Sequence, residues 1–313
     1  MKLILFYMVH NFDFRSGGHT VQYELAKTLH ELGYNVKVRA PNKIQNAIFS
    51  NYLENDVIDI NNTIVVYAEN ITNNPINAKY IIRWILAPLG INSPTDRYKT
   101  WNKTDLVYYF NSEQKFEEKP FKMDTVYKLL NIFYINPNIK NTAATRDGWC
   151  YTKRKSNYHK NLVYVHPPNS FEITREHTQV DYIRIFNTYK YFISYDPCTF
   201  LSVIAALCGC ISIVKKIDGV SKQEWLNITP YGEILKEMNI TSLYGIAYGK
   251  EELGYARQTI NLAGEQWDNI KKNKNKNILS FIADMEDIEN LENLENLENL
   301  ENKINTVENN YIN

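Results

Sequence analysis

The chain lacks any net charge: 35 Lys and Arg balance 35 Asp and Glu over 313 residues. That balance excludes the broad basic footprint by which a domain holds nucleic acid, so an anionic ligand has to be met by a local site. Cysteine is scarce too, and Cys150, Cys198, Cys208 and Cys210 show no metal-ligand spacing. Reduced thiols in a cytoplasmic setting are the simpler expectation than a disulfide framework. No run approaches the roughly 18 apolar residues that a membrane span needs, which leaves only peripheral membrane contact open. The apolar stretch at residues 3–9 has no small-residue cleavage site and leads into a polar Gly-Gly segment, so it reads as a first buried strand rather than a signal core. Neither G-x-G-x-x-G nor a P-loop is present.

What is present is organised around residues 191–214, YFISYDPCTFLSVIAALCGCISIV. Residues 191–195 are an aromatic and β-branched run suited to a buried parallel strand, and residues 211–214 are a second. Between them a helix is expected. Asp196 before Pro197 is a start signal, because an N-cap carboxylate accepts backbone N–H groups and Pro at the first helical position gives up an N–H that had no partner. Gly209 stops it. Strand, helix, strand is a right-handed crossover, and its turn lies where open α/β sheets bind ligands, beyond the carboxyl ends of the strands.

The remaining chain repeats that alternation. Residues 3–9 lead through HNFDFRSGGH to a helix from about His19 to Leu32, stopped by Gly33, with a strand beginning at Val36. Gly17 and Gly18 are open to two readings, a turn with positive φ or a close backbone approach to a phosphate at a helix N-terminus. Further strands are expected at residues 62–68, 80–86 and 105–110. A polar, Pro-containing stretch at 136–145 reads as a linker, which divides the chain into domains at 1–143 and 144–270. In the second half, a basic cluster of Arg146, Lys153, Arg154, Lys155 and Lys160 precedes a strand at 162–166 and a helix at 172–189. A helix at 221–238, a strand at 243–247 and a helix at 250–270 follow. From residue 271 the composition shifts, and 290–302 is a Leu-Glu-Asn triplet array. Leucines every third residue drift round a helix and form no single stripe, so 271–313 is expected to be a polar low-complexity tail.

Two segments carry a family resemblance: FRSGGHTVQYELAKTLHELGYNVKV at 14–38 and the 191–214 unit. Together they resemble the glycosyltransferases of the GT-B fold, particularly the family 4 type, in a bacterial or viral branch with a YD-x-x-T variant of the E-x7-E region. The resemblance implies an α/β fold of two Rossmann-like βα domains facing each other across a cleft. It implies transfer of a sugar from a nucleotide-sugar donor to a glycan or other hydroxyl acceptor, without cofactor or metal, and no Asp-x-Asp element of the metal-using alternative fold is present. It assigns Asp196 and His19 to catalysis and Gly17, Gly18, Arg154, Lys155, Tyr195 and Thr199 to the donor. From the residues alone, Asp196 is equally the cap of its own helix, Thr199 a plain first-turn residue, and the Arg154–Lys155 pair a solvated loop. The sequence departs from the family at Ile204, which stands where a second Glu is expected to hold the ribose. A non-catalytic nucleotide- or sugar-binding scaffold of the same fold is the competing reading.

Overall fold

The computed structural model describes residues 2–13, 16–41, 51–52, 57–87, 89–90, 92–110, 127–132, 135–136, 138–154, 156, 159, 162–273, 276–288 and 290. Two parallel sheets organise them. The first is built from β1 (Leu3–Tyr7), β2 (Val36–Arg39), β3 (Asn51–Tyr52), β4 (Thr63–Ala68), β5 (Tyr80–Ile85), β6 (Leu106–Tyr109) and β7 (Tyr127–Leu129). Its order is β3-β2-β1-β4-β5-β6-β7, and every described pairing is parallel. β4 lies beside β1 and is buried along its whole length, which explains its unbroken TIVVYA run. Between β1 and β2 runs α1 (Gly17–Glu31), whose Leu25, Ala26 and Leu29 are sealed against the sheet, and Gly33 turns the chain at φ 93°.

The second sheet holds β8 (Trp149–Thr152), β9 (Phe171–Glu172), β10 (Tyr191–Ser194), β11 (Ile211–Val214) and β12 (Ile246–Tyr248), in the order β12-β11-β10-β8-β9 and again parallel. Around it lie α2 (Gln179–Thr188), α3 (Leu201–Leu207), α4 (Lys222–Ile228), α5 (Gly232–Glu237), α6 (Leu253–Thr259) and α7 (Ala263–Asn273). The strand order reverses between β1 and β4 in the first sheet and between β8 and β10 in the second. These are the switch points at which helices leave for opposite faces and open a crevice beyond the strand ends. The architecture is thus the α/β pair of Rossmann-like units that the sequence implies.

Several boundaries differ from the sequence expectations. Residues 162–166 form no strand; the strand beside β10 on the side away from β11 is β8, inside the stretch read as a basic cluster, where Cys150 and Thr152 are fully buried. The helix expected over 172–189 begins only at Gln179, where Thr178 and Asp181 form a capping box. The helix expected over 221–238 is two helices, broken at Pro230, which has no N–H to continue α4.

The largest correction concerns the expected tail. Residues 276–288 form a further helix, α8, that returns to the first sheet. Ile278, Phe281, Ile282 and Met285 enter the core formed by β1, β4, β5 and α1. Asp284, beside them, takes hydrogen bonds from the Tyr108 hydroxyl and the Lys128 ammonium. Spacing of three and four residues gives these side chains one face, and the composition shift at residue 271 concealed it. The Leu-Glu-Asn array lies outside the described residues.

Candidate active site

A cleft of about 880 Å³ opens between the C-terminal ends of the two sheets. The first sheet supplies Tyr7 to His10 beyond β1, Ala68 to Asn70 beyond β4, Leu86 and Ala87 beyond β5, and the first turns of α1. The second supplies Arg154 beyond β8, Asp196 to Leu201 beyond β10, Ile204 of α3, Gln179 and Tyr182 of α2, and Pro230 and Tyr231 between α4 and α5. Both switch points therefore face one cavity.

Gly17 and Gly18 belong to α1 rather than to a turn before it. Ser16 is the N-cap, its Oγ accepting the His19 N–H, and neither glycine has positive φ. The positive-φ reading is therefore overturned. Their missing side chains instead keep the approach to the helix N-terminus open: a Cβ on Gly17 would meet nothing within 4 Å, and one on Gly18 would meet Leu86 Cδ1 at 3.6 Å. The positive end of a 15-residue helix favours an anion.

His19 faces the same cavity. Its Nδ1 accepts the Asp13 backbone N–H at 3.2 Å, which places the ring proton on Nε2, and its ring stacks on Phe12. Burial lowers its pKa below the ordinary imidazole value, with Asp13 opposing the shift. His19 is consequently a neutral hydrogen-bond donor at Nε2, not a base there.

Across the cleft Arg154 donates to the Tyr182 hydroxyl at 3.3 Å and lines the wall. Lys155 lies outside the described residues. The rest of the basic cluster divides by task. Arg146 donates to Asn141, to Asn187 and to the Cys208 carbonyl at the end of α3, and Lys153 pairs with Glu172 at 3.4 Å. Of the described members, Arg154 is the one the cleft contains.

Asp196 and Thr199 line the cavity, but α3 begins later than expected, at Leu201, with Phe200 as its uncapped N-cap. Asp196 Oδ1 accepts the Cys198 N–H at 3.0 Å and Thr199 Oγ1 accepts the Leu201 N–H at 3.2 Å. These are two successive side-chain turns that unwind the chain between β10 and α3. Asp196 is therefore not the cap of α3, and the capping explanation for it falls away. Ile204 is almost wholly buried at the cleft wall, where it packs with Leu201 and Ala205.

Tyr195 is corrected. It shares a face of the sheet with Ile193, turned towards α6 and away from the cavity. Its fully buried hydroxyl accepts the N–H groups of Val165 and His166 at 2.7 and 3.2 Å, so it pins the 162–166 segment. Alternation along β10 decides this, since Ser194 and Asp196 take the opposite side.

Sequence reading missed Glu69. It follows β4 directly, is only 3 % exposed, and accepts the Leu86 N–H at 3.0 Å through Oε2. Burial raises its pKa, against hydrogen bonds from Leu86, Ala87 and Asn92 that lower it. Only its place immediately after a fully apolar strand could have marked it.

Among the described residues no three His, Cys, Asp or Glu converge as a metal cage, and no helix is long and apolar enough to cross a membrane. No family model and no curated protein matches the sequence. Solved structures that the chain is similar to include two glycosyl-transfer proteins by name or description. T4 phage BGT in complex with UDP and Mn2+ aligns with a TM-score of 0.44 at 12 % identity, over 89 % of this chain and 99 % of that one. WaaG, a glycosyltransferase involved in lipopolysaccharide biosynthesis, aligns with a TM-score of 0.39 at 10 % identity, over 88 % and 94 %.

Proposed function

We propose that this chain is a GT-B glycosyltransferase, family 4-like, that moves a sugar from a nucleoside diphosphate sugar to a hydroxyl acceptor. The observation that supports it most is one cavity bounded by two parallel-sheet switch points, with the glycine-opened N-terminus of α1 on one wall and an arginine on the other. Rossmann-like switch points hold nucleotides, and departure of a diphosphate needs donors aimed at the charge that develops on it.

In this reading the diphosphate lies between the α1 N-terminus and Arg154. Gly17 N–H, Gly18 N–H and His19 Nε2–H donate to it from one side, and the guanidinium compensates charge from the other. Asp196 and the Thr199 hydroxyl stand where β10 ends and face the transferred sugar. The proposal leaves charge compensation to the protein, so transfer needs no divalent metal.

The test is a thermal-shift panel of UDP-glucose, UDP-galactose, GDP-mannose and ADP-glucose with and without EDTA, followed by assay of sugar release. Saturation at about 100 times Kd stabilises by about 2.7 kcal/mol. Stabilisation by none of the four contradicts the nucleotide reading. Stabilisation without turnover favours the binding scaffold, and loss of binding in EDTA contradicts metal independence.

A further inference from the structure

Tyr195 directly precedes Asp196, and its fully buried hydroxyl is used to capacity. The oxygen accepts the Val165 N–H at 2.7 Å and the His166 N–H at 3.2 Å, which occupies both lone pairs. Its own proton is left to donate, and His166 Nδ1 lies 2.9 Å away. His166 Nδ1 is therefore an acceptor, and the neutral ring carries its proton on Nε2. That ring lies flat on Tyr151, with 3.6 Å between centres and 8° between planes. Tyr195 holds a second point as well, since His159 Nε2 is 3.1 Å from its carbonyl oxygen. The chain that leaves β8 at Arg154, on the cleft wall, is thus tied back to the end of β10 at His159 and again at Val165 and His166.

A proton on Nδ1 breaks this arrangement. Imidazolium donates from both nitrogens, so Nδ1–H would point at a Tyr195 oxygen with no lone pair left to receive it. The charged groups facing the ring are Lys153 and Glu172. Lys153 Nζ sits over the Tyr151 and Tyr164 rings at 5.3 and 4.9 Å, and Glu172 of β9 accepts the Tyr151 hydroxyl at 2.9 Å and pairs with Lys153. Tyr151, Tyr164 and Tyr195 are the titratable rings beside it. Burial and Lys153 lower the His166 pKa, with Glu172 opposing. The neutral, pinned form is therefore favoured above the ordinary imidazole value of about 6.5 and loses that advantage as pH falls below it.

We propose that His166 is a positioning residue for donor binding: through Tyr195 it holds residues 162–166 to the end of β10 and so keeps Arg154 in place on the cleft wall, and its protonation releases them and weakens the donor site. This rests on the transferase reading above. The competing role is packing alone, in which His166 fills space on Tyr151 and its charge is without effect. His166→Asn separates the two, because the Asn Oδ1 accepts the Tyr195 O–H and does not titrate. His19 titrates alike in both proteins, so a difference between them belongs to position 166.

The experiment uses the full-length chain. Amide hydrogen exchange at positions 165 and 166, corrected for the intrinsic rate, reads the pin directly, with the β10 amides as reference. Calorimetry with UDP-glucose, UDP-galactose, GDP-mannose and ADP-glucose reads donor affinity. Between about pH 7.5 and about pH 5 the proposal expects wild-type protection at 165 and 166 to fall about 10-fold while β10 keeps its own, and donor affinity to weaken about 10-fold. In His166→Asn both should stay level across that range. Unchanged wild-type protection at 165 and 166, loss in step with β10, or one pH dependence of donor affinity shared by both proteins overturns the proposal and leaves the transferase reading standing. Binding of none of the four at either pH overturns that reading and the donor half of the proposal with it, and the exchange result then decides the pin. If His166→Asn does not fold, the wild-type exchange profile decides alone.

Discussion

At the residue scale the cleft makes Cys198 the accessible thiol. It is part-exposed at the cavity wall, whereas Cys150, Cys208 and Cys210 are fully buried. Burial also pushes the Cys208 thiol up to about 12 and raises Cys210 well above the ordinary range. Iodoacetamide should therefore label Cys198 first by mass spectrometry, and a bound nucleotide sugar should slow that labelling. Equal labelling of Cys208 or Cys210 would contradict the described packing. His19 gives a second check. Folding lowers its pKa, so the unfolded chain takes up the proton first as pH falls through the ordinary value of about 6.5, and the stability tied to neutral His19 is present above that value and lost below it. His19→Asn should lose less melting temperature than the wild type between about pH 7 and about pH 5. An equal loss would remove His19 as a contributor. The family resemblance named His19, Arg154, Asp196 and Thr199, and all four line the cavity. It misplaced Tyr195 because strand alternation decides which neighbour of Asp196 faces inward, and that depends on which face of the sheet carries α3.

At the element scale the decisive difference is α8. Sequence composition pointed to a tail, and three-residue leucine spacing obscured the four-residue spacing of Phe281 and Met285 just before it. The helix joins the first sheet to the end of the chain: Phe281 is fully buried and packs edge-on to Tyr108, with ring centres 5.2 Å apart. Phe281→Ala should cost about 3–5 kcal/mol in urea unfolding. A chain ending at Asp287 keeps every one of these anchors and should melt close to the full chain, whereas one ending at Asn273 should be strongly destabilised. Similar stability of the two truncations would show that α8 contributes nothing. The alternating strands and α1 were legible because buried parallel strands read as continuous apolar runs and α1 as one stripe. β8 was not, because its apolar residues are few and sit beside lysines and arginines that belong to the loop after it.

At the scale of the whole molecule, two sheets built from distant parts of the chain bring their switch points to one cavity, and that meeting carries the functional reading. Neither half shows it alone, which is why the cleft was foreseen only through resemblance to a family. The central claim is that the glycine-opened first turn of α1 receives the donor diphosphate. Gly17→Ala adds a methyl group into open space at a helical position, and Gly18→Ala adds one at ordinary contact distance from Leu86. Both should leave the fold intact or stabilise it, by up to about 1 kcal/mol. Both should also obstruct backbone approach by a ligand. The measurement is calorimetric titration of the nucleotide sugar that stabilises the wild type into wild type, Gly17→Ala and Gly18→Ala, beside their melting temperatures. The account predicts unchanged or higher melting temperatures together with affinity at least about 10-fold weaker, a loss of about 1.4 kcal/mol. Unchanged affinity in both stable variants would contradict it.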